Sequence, residues 1–135
     1  MANGLYNKGR EGFLSGAINM SSNDIRAILV DTADYTVNLA THDFLDDVPA
    51  AARVAVSAAM ASKTVTDGIF DAADVTWSAV SGDPSEAIVI YQHTGTESTS
   101  HLIAYIDTAT GLPVIPNGGN ITVTWDSGTN KIFKL

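Results

Sequence analysis

The runs AIVIY at residues 87–91 and LIAYI at residues 102–106 decide the fold of this chain. Both runs are continuously apolar. They lack the alternation of apolar and polar residues that is typical of a strand with one solvent-exposed face. Such runs are typical of strands that are covered on both faces in the middle of a sheet. A polar loop at residues 92–100 joins them, so we predict an antiparallel hairpin at the core.

Shorter strands are predicted on both sides of this hairpin. Residues 53–60 alternate in the manner of a half-buried strand, although their alanines favour a helix. The other predicted strands are short runs bounded by turn residues, at 25–30, 35–39, 63–66, 68–71, 75–79, 121–125 and 131–135. The sequence therefore predicts an all-β protein, an antiparallel β-sandwich of jelly-roll type.

Two segments between the predicted strands do not have the pattern of a strand. Residues 43–48 predict one helical turn that Pro49 stops. Residues 111–119 contain two prolines and three glycines, which excludes a central strand and indicates a crossing loop.

Residues 1–18 are predicted to be an N-terminal helix or arm, and residues 19–135 the β-sandwich domain. The apolar residues of this first segment have a spacing nearer to a helical than to an alternating period, despite Gly9, Gly12 and Gly16. These glycines weaken a free helix. The segment therefore either caps one open end of the sandwich or lies as an arm against another chain.

Candidate interaction residues come from the same segment, which combines an apolar stripe with a basic cluster. They are Leu5, Tyr6, Lys8, Arg10, Phe13 and Leu14. Lys131 and Lys134 add positive charge near the other end of the chain. On an acidic protein these basic ends can dock an acidic neighbour, and the alternative is that they are ordinary solvated charges.

The length, charge and residue composition of the chain argue against several classes of protein. The 135 residues fit one domain, cysteine is absent, and seven basic against fifteen acidic residues give a net charge of -8. Direct nucleic-acid binding is disfavoured because the cations form no stripe, and no apolar run is long enough to span a membrane. With only 16% charged residues against 45% hydrophobic, we expect apolar surface to be buried by self-association, unless alanine inflates the hydrophobic fraction.

Motifs for catalysis or for metal and cofactor binding are not found. No nucleophilic serine motif, phosphate-binding loop or calcium loop occurs, and the three histidines have no metal-ligand spacing. Paired acids at Asp31 and Asp34, and at Asp46 and Asp47, fall at turns. Trp77 and Trp125 fall on the apolar faces of predicted strands. We therefore predict no catalytic residue, no metal, no cofactor and a non-enzymatic protein.

Several long strings carry a resemblance: residues 5–11, 29–35, 102–113 and 116–126, with the closing run 131–135. Over nearly its whole length the chain resembles a family of small virion structural proteins of tailed bacteriophages, and by size and fold it is similar to the capsid cement or decoration class. That resemblance implies a protein without catalytic residues that binds the major capsid protein and associates with itself as a dimer or trimer. It also implies residence in the host cytoplasm before assembly and on the capsid exterior afterwards.

Other functions stay open at this point. A neck or tail component would share the fold and the logic of partner binding. A carbohydrate-binding or receptor-binding module at the virion periphery belongs to a different class. An enzyme such as a glycan hydrolase has the least support.

Overall fold

A computed structural model describes residues 3–135, and within that range it consists mainly of antiparallel β-sheets with one short α-helix. The helix α1 is Asn7–Ser15, and single 3₁₀ turns occur at Leu45–Asp47, Ala50–Ala52 and Glu97–Thr99. No helix among these residues is long and apolar enough to cross a membrane. The strands are β1 Gly4–Leu5, β2 Ile25–Val30, β3 Arg53–Val56, β4 Thr64–Thr66, β5 Ile69–Asp71, β6 Val75–Trp77, β7 Ala87–Gln92, β8 Leu102–Ile106, β9 Ile121–Val123 and β10 Phe133–Lys134.

Five strands form the main sheet in the order β1-β8-β7-β2-β3, with every neighbouring pair antiparallel. The predicted central hairpin is confirmed, because β7 pairs with β8 and Val89 lies opposite Tyr105. Every residue of β7 is buried. The continuous apolar pattern of these two strands therefore reflects a sheet that is covered on both faces.

One face of the main sheet, the closed face, is covered by residues 31–52 and by Tyr6. Residues from both layers are almost completely buried here, among them Ile28, Val89 and Leu102 of the sheet and Val48 above it. The covering segment is largely irregular. Its two 3₁₀ turns bring Leu45, Val48 and Ala52 down onto the sheet.

The opposite face, the open face, is covered by two small antiparallel sheets. One has the order β10-β5-β4 and the other pairs β6 with β9. Phe70, Val75 and Trp77 of these sheets pack with Leu29 and Ile90 of the main sheet. Around this core lies a wide margin of partly buried apolar residues, including Leu5, Ile106, Ile121, Val123, Trp125 and Phe133.

Helix α1 lies directly on β8, and its glycines explain why. A Cβ atom at Gly9 would stand 2.8 Å from the carbonyl oxygen of Leu102, and one at Gly12 would overlap Ile18. Gly16, with a φ of 79°, ends the helix in the left-handed conformation. The helix is thus shorter than the predicted segment. Gly9 allows it to pack closely on β8, and Gly12 makes room for Ile18.

Two sequence predictions need correction. Residues 35–39 form no strand, because Asn38 takes the backbone N–H groups of Ala40 and Thr41 with its side chain and so turns the chain. The strand predicted over 53–60 ends at Val56. Beyond it the Ser57 N–H still donates to the Ala27 carbonyl of β2, but the Ala27 N–H donates to the Ser57 hydroxyl in place of a backbone carbonyl.

Candidate interaction surfaces

The six predicted interaction residues separate into different environments. Tyr6 is fully buried in the closed face, so its prediction as a contact residue is corrected: in this fold it is a core residue. Leu5 belongs to β1 and is partly buried on the open face. Lys8 pairs with Glu11 at 2.9 Å and lies 5.4 Å from the ring centre of Phe44. None of these three side chains stands free on the surface.

The other three predicted residues lie on or beside the outer side of α1. Leu14 is 91% exposed, the most exposed of the large apolar side chains. Arg10 precedes it by four residues, so both lie on one face of the helix. Phe13 turns toward the small sheet and stacks on Phe133 of β10, with ring centres 6.2 Å apart. That contact joins the two segments that the sequence shows as separate basic ends.

Two large apolar side chains of the small sheet that Phe13 contacts also lie on the surface. Val65 and Leu135 are 54% and 62% exposed. A cavity of about 350 Å³ lies among them, lined by Phe13, Gly16, Val65, Ile69, Phe133 and Leu135. Among the described residues Arg10 and Lys134 form no ion pair. Neither of these cations lines the cavity. Lys134 lies opposite Ile69 and Val65 lies opposite Phe70, so Lys134 and Val65 point to opposite faces of the small sheet.

A larger feature is the cleft, a half-open cavity of about 840 Å³ on the open face. The main sheet contributes Leu29, Ile88 and residues 104–106 to its walls. The opposite wall is the consecutive run 121–126 together with residues 131–133. A volume in this range is typical of ligand-binding sites.

Unpaired strand edges border the cleft. Within the described range 3–135, β1 ends the main sheet, β9 pairs only with β6, and β10 pairs only with β5. All three strands contribute residues to the cleft. Next to β1, the side-chain oxygen of Asn3 accepts the N–H groups of Asp107 and Thr108, and its Nδ2 donates to the Thr108 carbonyl. A side chain therefore continues the pairing where the strand stops.

The two tryptophans differ in their relation to the cleft. Trp77 is 3% exposed and donates its Nε1–H to the Ala27 carbonyl of the main sheet, which confirms it as core. Trp125 is only partly buried, and it donates to the Ala73 carbonyl. Its place in the core is therefore partial, at the margin of the open face.

Two groups of acidic residues bring carboxylate oxygens within 4.8 Å of one another. One is Asp43, Asp46 and Asp47, where burial and the hydrogen bond with Asp47 raise the pKa of Asp43. The other is Asp31, Asp34 and Asp83, which joins the turn after β2 to the loop before β7. Asp31 is buried and accepts the N–H of Ala33, as expected of a turn-forming aspartate.

A hydrogen-bonded chain runs from the closed face to the surface. The hydroxyl of Tyr6 lies 2.9 Å from that of Tyr35, which lies 2.9 Å from Nδ1 of His42. Because the N–H of Asn38 also donates to that nitrogen, Nδ1 is an acceptor, so Tyr35 donates to His42 and Tyr6 donates to Tyr35. Burial raises the pKa of Tyr35 to about 12 and that of Tyr6 further still. Both phenols therefore stay protonated and serve as structural donors.

His93 and His101 flank the polar loop as the sequence suggests, but each has its own partner. His101 Nδ1 lies 2.8 Å from Oε1 of Gln92, and its ring meets Phe44 edge to face. His93 Nδ1 lies 3.4 Å from the hydroxyl of Tyr91. These contacts account for both rings as structural elements of the hairpin.

No known protein-family model matches this chain, and a search of curated proteins gives no significant match.

Proposed function

We propose that this protein is a non-enzymatic structural protein of a phage virion, of the capsid cement or decoration class, which binds the major capsid protein and associates with itself. The assignment to phage comes from the sequence resemblance. Binding by an extended segment of a partner is what the geometry supports best, and the cleft is the observation that carries it.

The argument from the cleft concerns backbone groups as well as side chains. Strands β1, β9 and β10 each have one unpaired edge, and unpaired N–H and C=O groups are a template for an added strand. Apolar walls supply pockets for the alternate side chains of such a strand. A segment of the capsid protein laid into the cleft would cover the partly buried residues of the open face.

The proposed mechanism is stabilisation of the shell by repeated burial of surface. Each contact can be modest, because a subunit that already holds one capsomer meets the next at a high effective concentration. We propose residence on the capsid exterior after assembly and in the host cytoplasm before it. A neck or tail position would use the same binding mode at a much lower copy number.

An antiparallel β-sandwich of jelly-roll type remains the proposed description of the architecture. What supports a sandwich is that the two small sheets pack over the open face of the main sheet. A strand bound in the cleft would complete this second layer. The proposal therefore links the fold and the function at one place.

A carbohydrate-binding module is the second candidate, favoured by one observation. Trp125 is partly buried at a cleft that is also lined by the polar residues Asn3, Thr122 and Thr124. An aromatic ring with neighbouring polar groups is what a sugar site requires. Glycan-array binding that is lost in Trp125→Ala would favour this candidate over the structural one.

Copy number and a matched pair of variants test the proposal. Purified particles of the virus that encodes the chain should contain on the order of hundreds of copies, as a symmetric shell requires, and about a dozen or fewer would place it in the neck or tail. Val123→Lys puts a charge in the cleft, and we expect particle binding to fall about tenfold or more, since that charge must be desolvated. Val56→Lys, the same change on edge strand β3 outside the cleft, should bind as the wild type does.

A further inference from the structure

The cleft follows the edge of strand β9. Every residue from 121 to 126 lines it, although the apolar and polar side chains of this run point to opposite faces, as their alternating burial shows. A cavity against one face of a strand touches alternate residues, whereas a cavity along its edge touches all of them. Of the paired strand β6, which lies within the described range, only the buried Trp77 contributes to the lining. The cleft therefore runs along the edge of β9 that faces away from β6.

The backbone of β9 directs the groups of two residues toward this cleft. The hydroxyls of Thr76 and Thr122 lie 2.8 Å apart, as is typical of opposite residues that exchange no backbone hydrogen bonds. Further along, the N–H of Trp125 donates to Oδ1 of Asp74, which precedes β6. Because successive residues of a strand direct their backbone groups to opposite edges, Thr122 and Thr124 point theirs away from β6. Among residues 3–135 no hydrogen bond outside the pairing of β6 with β9 involves these groups.

The other two strand edges at the cleft offer fewer unpaired groups. On β1 the N–H of Tyr6 donates to the carbonyl of Ile103, which leaves Leu5 as the residue of this two-residue strand that faces outward. On β10 the outward-facing residue is Lys134, which lies outside the lining of the cleft. In the part of the chain that the structure describes, β9 is therefore the edge that presents the most unpaired backbone groups to the cleft.

We propose that an extended segment of the capsid protein binds in the cleft as an additional strand on β9, hydrogen-bonded to the N–H and C=O groups of Thr122 and Thr124. Strand addition to an exposed edge is a common mode of peptide recognition, in which the main chain supplies the affinity. The inference deepens the proposed function and rests on it for the identity of the partner.

The geometry also defines the kind of segment that fits. Residues directly opposite each other on neighbouring strands place their side chains on the same face. Side chains of the bound strand opposite Ile121, Val123 and Trp125 therefore point toward the main sheet, where these three residues pack against the core. Side chains opposite the exposed Thr122 and Thr124 point to solvent. The segment thus alternates apolar and polar residues over the length of residues 121–125.

Two substitutions at one residue test the inference in the full-length chain, by binding to particles that lack this protein. Thr124→Pro removes the N–H that faces the cleft, and a proline is tolerated on an edge strand where the missing N–H faces outward. We expect its affinity for particles to fall about tenfold or more, since a carbonyl of the bound strand is left without a donor. Thr124→Val keeps the N–H and removes only the hydroxyl, so it should bind as the wild type does.

Val56→Pro is the matched control on edge strand β3. The N–H of the next residue, Ser57, donates to Ala27 of β2, so the N–H of Val56 faces the outer edge, away from the cleft. This variant should bind as the wild type does. Wild-type binding by Thr124→Pro would overturn the inference. So would an equal loss in Thr124→Val, because the partner would then contact the hydroxyl, as a sugar does.

Hydrogen exchange of the wild-type protein gives a second test that does not depend on the folding of a variant. After exchange on particles, dissociation and detection of single amides by NMR, the N–H groups of Thr122 and Thr124 should exchange at least about tenfold more slowly than in the free protein. Unchanged exchange at both would overturn the inference.

Val123→Lys separates this inference from the proposed function. If Thr124→Pro binds particles and Val123→Lys does not, the cleft remains the binding site and strand addition on β9 is refuted. A wild-type protein that does not bind particles would refute both.

Discussion

The two faces of the main sheet are covered in different ways. On the closed face Ile28, Val30, Val48, Val89 and Leu102 are essentially inaccessible, and of residues 3–135 only Val37 and Leu39 are partly buried at its margin. On the open face twelve apolar residues of the described part of the chain are partly buried around the core. The same strands therefore support one complete core and one incomplete core.

This difference separates stability from binding. A packed interior tolerates few voids, and the closed face meets that condition within the chain. The open face leaves a cleft and two disconnected small sheets, so its apolar margin gains most from a partner. Substitutions on the closed face should therefore act on folding, and those at the margin of the open face should act on association.

The largest expected effect on stability comes from the two tryptophans of the open face. One ring is buried in its core and the other lies at its margin, so the same substitution compares the two places. Trp77→Ala removes a buried ring and its hydrogen bond to the Ala27 carbonyl, so we expect a loss of about 3–5 kcal/mol in the free energy of unfolding. Trp125→Ala removes a partly exposed ring and should cost less than half of that. Urea denaturation measures both. Equal losses would mean that the margin at Trp125 is as firmly packed as the core.

The same substitution, leucine to alanine, at three positions compares the closed face, the cleft and the exposed surface. Leu102→Ala on the closed face should cost about 2–5 kcal/mol, as fully buried leucines do. Leu5→Ala at the cleft should cost less, and Leu14→Ala should stay within about 0.5 kcal/mol because that side chain is exposed. Thermal melts give the order. Leu14→Ala should nevertheless weaken self-association, so a variant with wild-type assembly would contradict a contact at that residue.

A pair of hydroxyl deletions examines the polar chain inside the closed face. Tyr35→Phe leaves the Tyr6 O–H buried without an acceptor and should cost about 1–3 kcal/mol. Tyr6→Phe leaves Tyr35 still donating to His42, so its cost should be smaller. Chemical denaturation of the two variants decides between this direction of donation and the reverse, which predicts the opposite order.

The smallest expected effect is a pH dependence of stability, which we assign to His101 beneath α1. Gln92 donates with its Nε2 to Ala17 and Asn23, so His101 Nδ1 carries the hydrogen toward Gln92 Oε1, and Nε2 is the nitrogen that takes up a proton. Burial, followed by the positive charge of Lys8, lowers the pKa of His101. Because the pKa of His101 is lower in the folded than in the unfolded protein, stability is lost as the pH falls below the unfolded value of about 6.5.

We therefore expect melting temperature to decline between about pH 7 and pH 5, a slope that His101→Gln should flatten. Asp24 and Glu97 titrate in a separate window, because their hydrogen bonds to Arg26 and Arg53 lower the pKa of each carboxyl. Their contribution is lost only at more acidic pH. An unchanged slope in His101→Gln would show that another group controls this range.

The sequence predicts the centre of this fold better than its margins. Continuous apolar runs identify β7 and β8 because most residues buried on either face of a strand are apolar. Residues 35–39 follow the pattern of a strand, since Tyr35 and Val37 pack inward, but Asn38 binds its neighbours' backbone and prevents pairing. Local periodicity reports which side chains are buried and leaves the backbone partner undetermined.

The candidate surfaces show the same limit. The helical period of residues 1–18 finds Leu14 and Arg10, yet it assigns Tyr6 to the same role because a buried and an exposed apolar residue look alike in sequence. Val65 and Leu135 reach the same cavity as Phe13 only through the packing of β4, β5 and β10 beside α1. Contacts between residues so distant in sequence follow from tertiary packing and have no local pattern.

Amide hydrogen exchange, compared between the free protein and the protein bound to particles, tests most directly the claim that the open face binds and the closed face stabilises. We predict new protection at residues 3–5 and 121–133, which border the cleft, with little change at residues 31–52, which cover the closed face. Protection gained mainly over residues 31–52, with exchange around the cleft unaltered, would contradict the account.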